Sequence, residues 1–161
     1  NNTINGVDQC HSYFEAKDLF PEFLYFTGRK NYVYTLIAEK KSTVLWIPVH
    51  VLEEMLEKDQ GLMYALLLYV CQRGLKDQLY LNCLNYQTIR ERIAYWIVGL
   101  HNLSPVECVH MPGSQLILAN MLHVSRSSLN QELKLMQKDG YFKVRGREMY
   151  ELDEEKLNAL L

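Results

Sequence analysis

The chain is short of the residues that staple a small protein or load it with a cofactor. Its four cysteines, Cys10, Cys71, Cys83 and Cys108, include no C-x-x-C pair, which excludes a zinc or iron–sulfur ligand set defined by spacing. They are also too sparse for a disulfide scaffold, and are expected to be buried free thiols in a reducing cytosol. The five histidines, His11, His50, His101, His110 and His123, form no H-E-x-x-H motif and no close carboxylate pairing. No glycine-rich loop that could cradle a phosphate is present, so an enzyme is not expected. Long apolar runs are missing too. Leu62–Cys71 is apolar over only 10 residues, too short to span a bilayer, and no secretory signal is recognisable. A cytoplasmic protein without membrane contact is therefore expected. Net charge is −2, so no global positive field announces nucleic acid and any basic patch must be local. The chain opens on Asn1-Asn2 rather than Met, and its natural N-terminus is expected to lie upstream.

What is present is core material. At 161 residues the chain could be one domain or two small ones, and with 48% hydrophobic and 22% charged residues it is globular rather than disordered. The first third reads as β. Asn5-Gly6 is a type I′ turn signal followed by Val7 to Tyr13. Val33–Ala38 and Thr43–Ile47 are β-branched or aromatic runs separated by Glu39-Lys40-Lys41-Ser42. Pro48 then opens a short helix to about Lys58.

From about Asp59 to Asn85 the pattern is one long helix. An apolar seam runs through Leu68, Cys71, Leu75, Leu79 and Asn82 at spacings close to the three–four rhythm of a coiled coil. Gly74 and the polar Asn82 interrupt it, and other registers fit. It is read as a dimerisation helix, with an intradomain core helix as the rival. Thr88-Ile89-Arg90-Glu91 is a capping box. The helix it opens turns Ile89, Ile93, Trp96, Ile97 and Leu100 inward and ends at His101-Asn102-Leu103-Ser104-Pro105. A strand at about Val106–Met111 follows.

The C-terminal third carries the clearest signal. Ser114 caps a helix bearing Leu116, Leu118, Ala119, Met121 and Leu122. His123-Val124 makes a turn. Ser125 caps a second helix, Arg126 to about Lys138, with Leu129, Leu133 and Met136 inward. Two short capped helices in this order match the bihelical unit that reads DNA. After Asp139-Gly140, Tyr141–Val144 and Glu148–Leu152 flank Arg145-Gly146-Arg147 as a β-hairpin wing. Between Arg126 and Arg147 there are six bases against two acids, whereas Glu148–Glu155 has five acids and no base. The unit is thus locally basic in an acidic chain, as phosphate contact requires. Arg126, Ser127, Asn130 and Gln131 point outward at the start of the second helix. Arginine can pair with guanine, and asparagine or glutamine with adenine. Ser114, Gln115 and Ser125 would hold the DNA backbone through hydroxyls and helix N-termini, with Lys134, Lys143, Arg145 and Arg147 adding positive charge. The rival is a winged helix used only for protein contacts.

At Val124-Ser125-Arg126-Ser127-Ser128-Leu129 and Leu135-Met136-Gln137-Lys138-Asp139-Gly140 the sequence resembles the Crp–Fnr family of bacterial regulators. The upstream order of parts fits as well: the end of a β-roll, a short helix, a long helix and a capped helix. The resemblance implies an α+β fold of three parts: 1–58, the second half of a sensor β-roll with a short helix; 59–86, a dimerisation helix; and 87–161, a winged helix-turn-helix. It implies a homodimer on a near-palindromic double-stranded DNA site, with RNA polymerase as a further partner. A half roll would expose an unpaired edge, so preceding strands are expected. Cyclic-nucleotide-binding members carry a Gly-Glu pair and an Arg-Ser or Arg-Thr that grips the phosphate. Here the matching stretches read Leu19-Phe20-Pro21-Glu22 and Tyr32-Val33, which removes the bidentate anion donor. The resemblance therefore implies an unknown small-molecule effector, not a cyclic nucleotide, and no cofactor. Arg29 and Lys30 could serve another anion or form a solvated loop. A haem or redox sensor at Cys10 or His11 is a further alternative. Ser127 and Gln131 replace a glutamate and an arginine of well-known members, so the half-site is expected to differ. His123 stands where a turn glycine is common, and histidine is among the residues enriched at positive φ.

Overall fold

The computed structural model describes residues 2–4, 7–9, 12–21, 24–32, 35–103 and 108–161. Strands β1 (Asn2–Ile4) and β2 (Val7–Gln9) pair antiparallel, with Ile4 opposite Val7 on either side of the expected turn. Asn5-Gly6 itself, Cys10, His11, Glu22, Val33 and Ser104–Glu107 lie outside the described residues. The short helix α1 (Leu24–Thr27) follows.

The two further strands expected at Val33–Ala38 and Thr43–Ile47 do not form: residues 35–38 and 43–47 carry no regular structure. A strand needs a ladder partner for its N–H and C=O groups, and none of the described residues supplies one. Their apolar side chains stay in the open, Leu45 at 86% and Trp46 at 70% exposure. High β-propensity describes a fit to a half-buried pleated surface and cannot create that surface.

Helix α2 (Val49–Lys58) begins directly after Pro48. Asp59 then accepts from Leu62 N at 3.0 Å and caps α3 (Gln60–Cys83), which at 1.5 Å per residue is about 36 Å long. Helix α4 (Ile89–Leu103) opens on the expected capping box. Glu91 N donates to Thr88 Oγ1 at 3.2 Å, while Glu91 Oε2 accepts from Thr88 N at 2.9 Å. The Thr88 backbone N–H first, then the Thr88 hydroxyl and the Gln87 N–H, hold the Glu91 carboxyl below its ordinary pKa.

Strand β3 (Cys108–His110), helices α5 (Gln115–Met121) and α6 (Arg126–Lys138), strands β4 (Lys143–Arg145) and β5 (Glu148–Tyr150), and helix α7 (Glu154–Asn158) complete the chain. The second sheet is ordered β3-β5-β4 and is wholly antiparallel, so the fold is α+β. Its core is one cluster drawn from the end of α3, from α4, β3, α5, α6, β5 and α7, with Ile93, Ala94, Trp96, Ile97, Leu118, Leu122, Leu129, Met136, Met149 and Leu157 fully buried. On α5, Leu116 is 47% exposed, and its neighbour Ile117 is buried. The thiols also divide. Cys83 is buried, and burial pushes its pKa up to about 12. Cys71 is exposed and Cys108 half-buried, contrary to expectation.

Candidate nucleic-acid interface

The bihelical unit is assembled from its caps inward. Ser114 Oγ accepts from Ile117 N at 3.4 Å, and Ser125 Oγ from Ser128 N at 3.0 Å. Between the helices His123 adopts φ 54°, and Val124 N donates back to Ala119 O at 2.9 Å. Ala119 is fully buried, and its small side chain allows α5 and α6 to cross closely. The carbonyls at the end of α5 need partners, and Arg92 of α4 supplies one. Its guanidinium donates to Leu122 O at 2.8 Å and to Tyr86 O at 2.9 Å, tying the turn to the capped helix.

Helix α6 buries Leu129, Leu133 and Met136 and turns a polar face to solvent. Arg126, Ser127, Gln131 and Lys134 are exposed, and Asn130 is half-buried beside them. Ser125 Oγ lies 2.9 Å from Ser127 Oγ and donates to Ser128 Oγ at 2.8 Å, so three hydroxyls cluster at the helix start.

The two acids of this region, Glu132 and Asp139, do not share that face. Arg90 of α4 holds both, Glu132 at 2.6 Å and Asp139 at 3.1 Å, with its guanidinium 5.6 Å from the Tyr141 ring centre. Hydrogen bonding to Glu132, more than any other contact, raises the Arg90 pKa. The negative charge of α6 is thereby spent within the fold, and Arg126 and Lys134 make no ion pair among the described residues.

The wing forms as expected, with Arg145 opposite Glu148 across Gly146-Arg147 and Gly146 at φ 64°. Its bases are not free charges. Lys143 lies 2.5 Å from Glu151 and Arg145 3.0 Å from Glu148. Arg147 reaches Glu15 and Gly113 O, each at 3.3 Å. Ser114, besides capping, donates to Glu39 Oε1 at 3.1 Å, and Gln115 next to it is half-buried.

The expected seam on α3 splits in two. Leu68 (45%), Cys71 and Leu75 (50%) face solvent. Leu79 is only 6% exposed and packs on Gly99 of α4, where a Cβ would meet Leu79 Cδ1 at 2.1 Å. Asn82 Nδ2 donates to the Tyr95 hydroxyl at 3.4 Å. A straight α-helix drifts relative to a 3.5-residue repeat, which lets one seam pass from an open face to an internal one. Tyr64 (69%) and Leu67 (51%) extend the exposed part instead. Arg29 and Lys30, the alternative anion pair, are both exposed.

Several contributors escaped the sequence reading. Arg90 could have been anticipated, because Glu132 and Asp139 are seven residues apart and so lie on one helix face awaiting a single base. Asp153 before Glu154-Glu155 is an N-cap with an acidic first turn; its side chain accepts from Lys156 N at 3.0 Å and starts α7. The pairing of β3 with β5, and the contacts of Glu15 and Glu39, have no local signal. Among the described residues no group of three or more His, Cys, Asp or Glu is placed to hold a metal ion, and no helix is long and apolar enough to cross a membrane.

Comparison with known proteins agrees with this geometry. The model of the Crp-like helix-turn-helix domain matches residues 91–160. No curated protein matches the chain. Among solved structures, FixK2 from Bradyrhizobium japonicum superposes with a TM-score of 0.54 at 16% identity, over 71% of this chain and 59% of that one. The chain thus spans less than two thirds of that relative, and at such identity the likeness concerns the fold. Residues 91–160, from the capped α4 through the wing to α7, are thus similar in sequence to a Crp-like helix-turn-helix domain.

Proposed function

We propose that the chain is a sequence-specific, DNA-binding transcription regulator of Crp–Fnr type, acting in the cytoplasm as a homodimer on a near-palindromic site. The observation that carries this reading is the charge arrangement on α6. Arg126, Ser127, Gln131 and Lys134 face solvent, while Arg90 ties Glu132 and Asp139 behind them. Arg126, Ser127, Asn130 and Gln131 would read base edges. Ser114, Gln115, Ser125, Lys134 and the wing bases Lys143, Arg145 and Arg147 would meet phosphates.

Residues 1–58 are proposed as the sensor, 59–86 as the dimerisation segment and 87–161 as the reading head. The exposed apolar stripe Tyr64, Leu67, Leu68, Cys71 and Leu75 on α3 is the proposed dimer seam. The effector is a small molecule other than a cyclic nucleotide, and RNA polymerase is a further proposed partner.

The test is binding to a palindromic duplex selected from a random library. Affinity should fall steeply with salt, and Arg126→Ala should cost about 1–3 kcal/mol and relax specificity at one base position. The rival is a dimeric scaffold that keeps the fold and binds proteins. It is favoured by one observation: Lys143, Arg145 and Arg147 are each already paired with a carboxylate. A chain whose affinity for every duplex is weak and unchanged by Arg126→Ala would be that scaffold.

A further inference from the structure

Two acids from the N-terminal part of the chain sit on groups proposed to meet DNA phosphates. Glu15 Oε1 accepts from Arg147 at the wing turn at 3.3 Å. Glu39 Oε1 accepts from the Ser114 hydroxyl at the start of α5 at 3.1 Å. Arg147 and Ser114 lie close together, since Arg147 also donates to Gly113 O and Met111 N donates to Arg147 O at 2.8 Å. Tyr13 closes the group. Its ring lies against Gly113, where a Cβ would meet Tyr13 Cζ at 2.5 Å. Burial, then the Glu15 and Glu39 carboxylates, raise its pKa, and Arg147 works the other way. Five charged or polar groups from distant parts of the sequence thus share one small patch of surface.

A carboxylate presents oxygens to a guanidinium or a hydroxyl much as a phosphate does. We propose that Glu15 and Glu39 form an acidic clamp that occupies Arg147 and Ser114 in place of DNA phosphates. The described conformation is then the masked one, and DNA binding displaces the clamp. This rests on the DNA-binding reading above.

The clamp is built to let go. The Arg147–Glu15 pair is exposed by 55% and 56% on its two sides, a setting in which an ion pair is worth little and salt weakens it. The segment that carries Glu15 also lines an open pocket of about 440 Å³, together with Arg73, Tyr80 and His110. It is therefore a strap held at a few points and not part of the close-packed core. Its main tether is Arg73, 8% exposed, which donates to Tyr13 O at 3.2 Å and to Ser12 Oγ and lies 4.5 Å from the Phe14 ring centre. Tyr69 adds a second hold through the backbone N and O of Leu19 at 2.9 and 3.0 Å.

The test is fluorescence anisotropy of the full chain with a short random-sequence duplex at low salt. Glu15→Ala should tighten binding about threefold, and Glu15→Ala with Glu39→Ala about tenfold, the range open to exposed pairs. Glu53→Ala with Glu57→Ala, which removes the same charge from the exposed face of α2, should gain clearly less. In an Arg147→Ala background the gain from Glu15→Ala should vanish, because the group it unmasks is gone. An equal gain in both backgrounds, or a gain no larger than that of the α2 pair, overturns the clamp alone. No duplex binding by any variant, the unaltered chain included, overturns the DNA-binding reading and the clamp with it.

Discussion

The two tryptophans mark the difference between the halves of this molecule. Trp96 on α4 is fully buried, and Trp46 in the segment before α2 is 70% exposed. Their surroundings repeat the contrast. After residue 82 the large apolar side chains left exposed among the described residues are Leu103, Leu116, Leu135 and Leu161. Before it they include Ile37, Val44, Leu45, Trp46, Tyr64, Leu67, Leu68 and Leu75. The same residue types meet partners in one half and solvent in the other. Burial is decided by whether a second surface exists, and hydrophobicity alone does not provide one.

The largest test of this contrast is truncation of each tryptophan. Trp96→Ala should cost about 3–5 kcal/mol in denaturant-induced unfolding, the usual loss for an aromatic in a close-packed core. Trp46→Ala should stay within about 0.5 kcal/mol. Similar losses at both sites would show that the N-terminal half has packing of its own.

A sharper version sits on α3, where Leu75 and Leu79 are one turn apart. Leu79→Ala should lower stability by about 2–3 kcal/mol, within the range for buried leucines, and leave association unchanged. Leu75→Glu should leave the monomer fold intact and yield monomers in sedimentation velocity. An intact dimer after Leu75→Glu would remove the proposed seam, while monomers from Leu79→Ala would relocate it.

The smallest effect concerns acid. Glu91 and Asp153 both have pKa values lowered by backbone N–H groups at helix starts, those of Thr88 and Lys156 respectively. A carboxylate with a depressed folded-state pKa contributes stability above its unfolded value and loses it as pH falls through the folded one. For these two groups the unfolded references are 4.5 and 3.8, so the loss belongs to the acid limb below those values. Glu91→Gln with Asp153→Asn should flatten that limb in pH-dependent thermal melts and leave neutral-pH behaviour nearly unchanged. An acid limb as steep as before would mean that other carboxylates govern it.

Much of the C-terminal half was legible because its signals are local. The capping box at Thr88, the serine caps at 114 and 125, the positive φ of His123 and the hairpin around Gly146 all depend on residues within one turn of each other, and all formed. The outward placement of Arg126, Ser127 and Gln131 followed from helical period alone. The expected strands do not form at 35–38 and 43–47 because a ladder partner is a tertiary matter. Periodicity puts Leu79 and Asn82 on one seam with Leu75, since it identifies an apolar face without saying which neighbour covers it.

The amino-acid order therefore settled what each segment of the C-terminal half would become, through caps, periods and turn residues that act over a few positions. Only the tertiary structure decided where charge ends up. It placed Arg90 against Glu132 and Asp139, and it set Glu15 and Glu39 against Arg147 and Ser114. Coulomb and hydrogen-bonding partners are chosen by distance in space, and residues 132 positions apart in the chain become neighbours only once the core has formed.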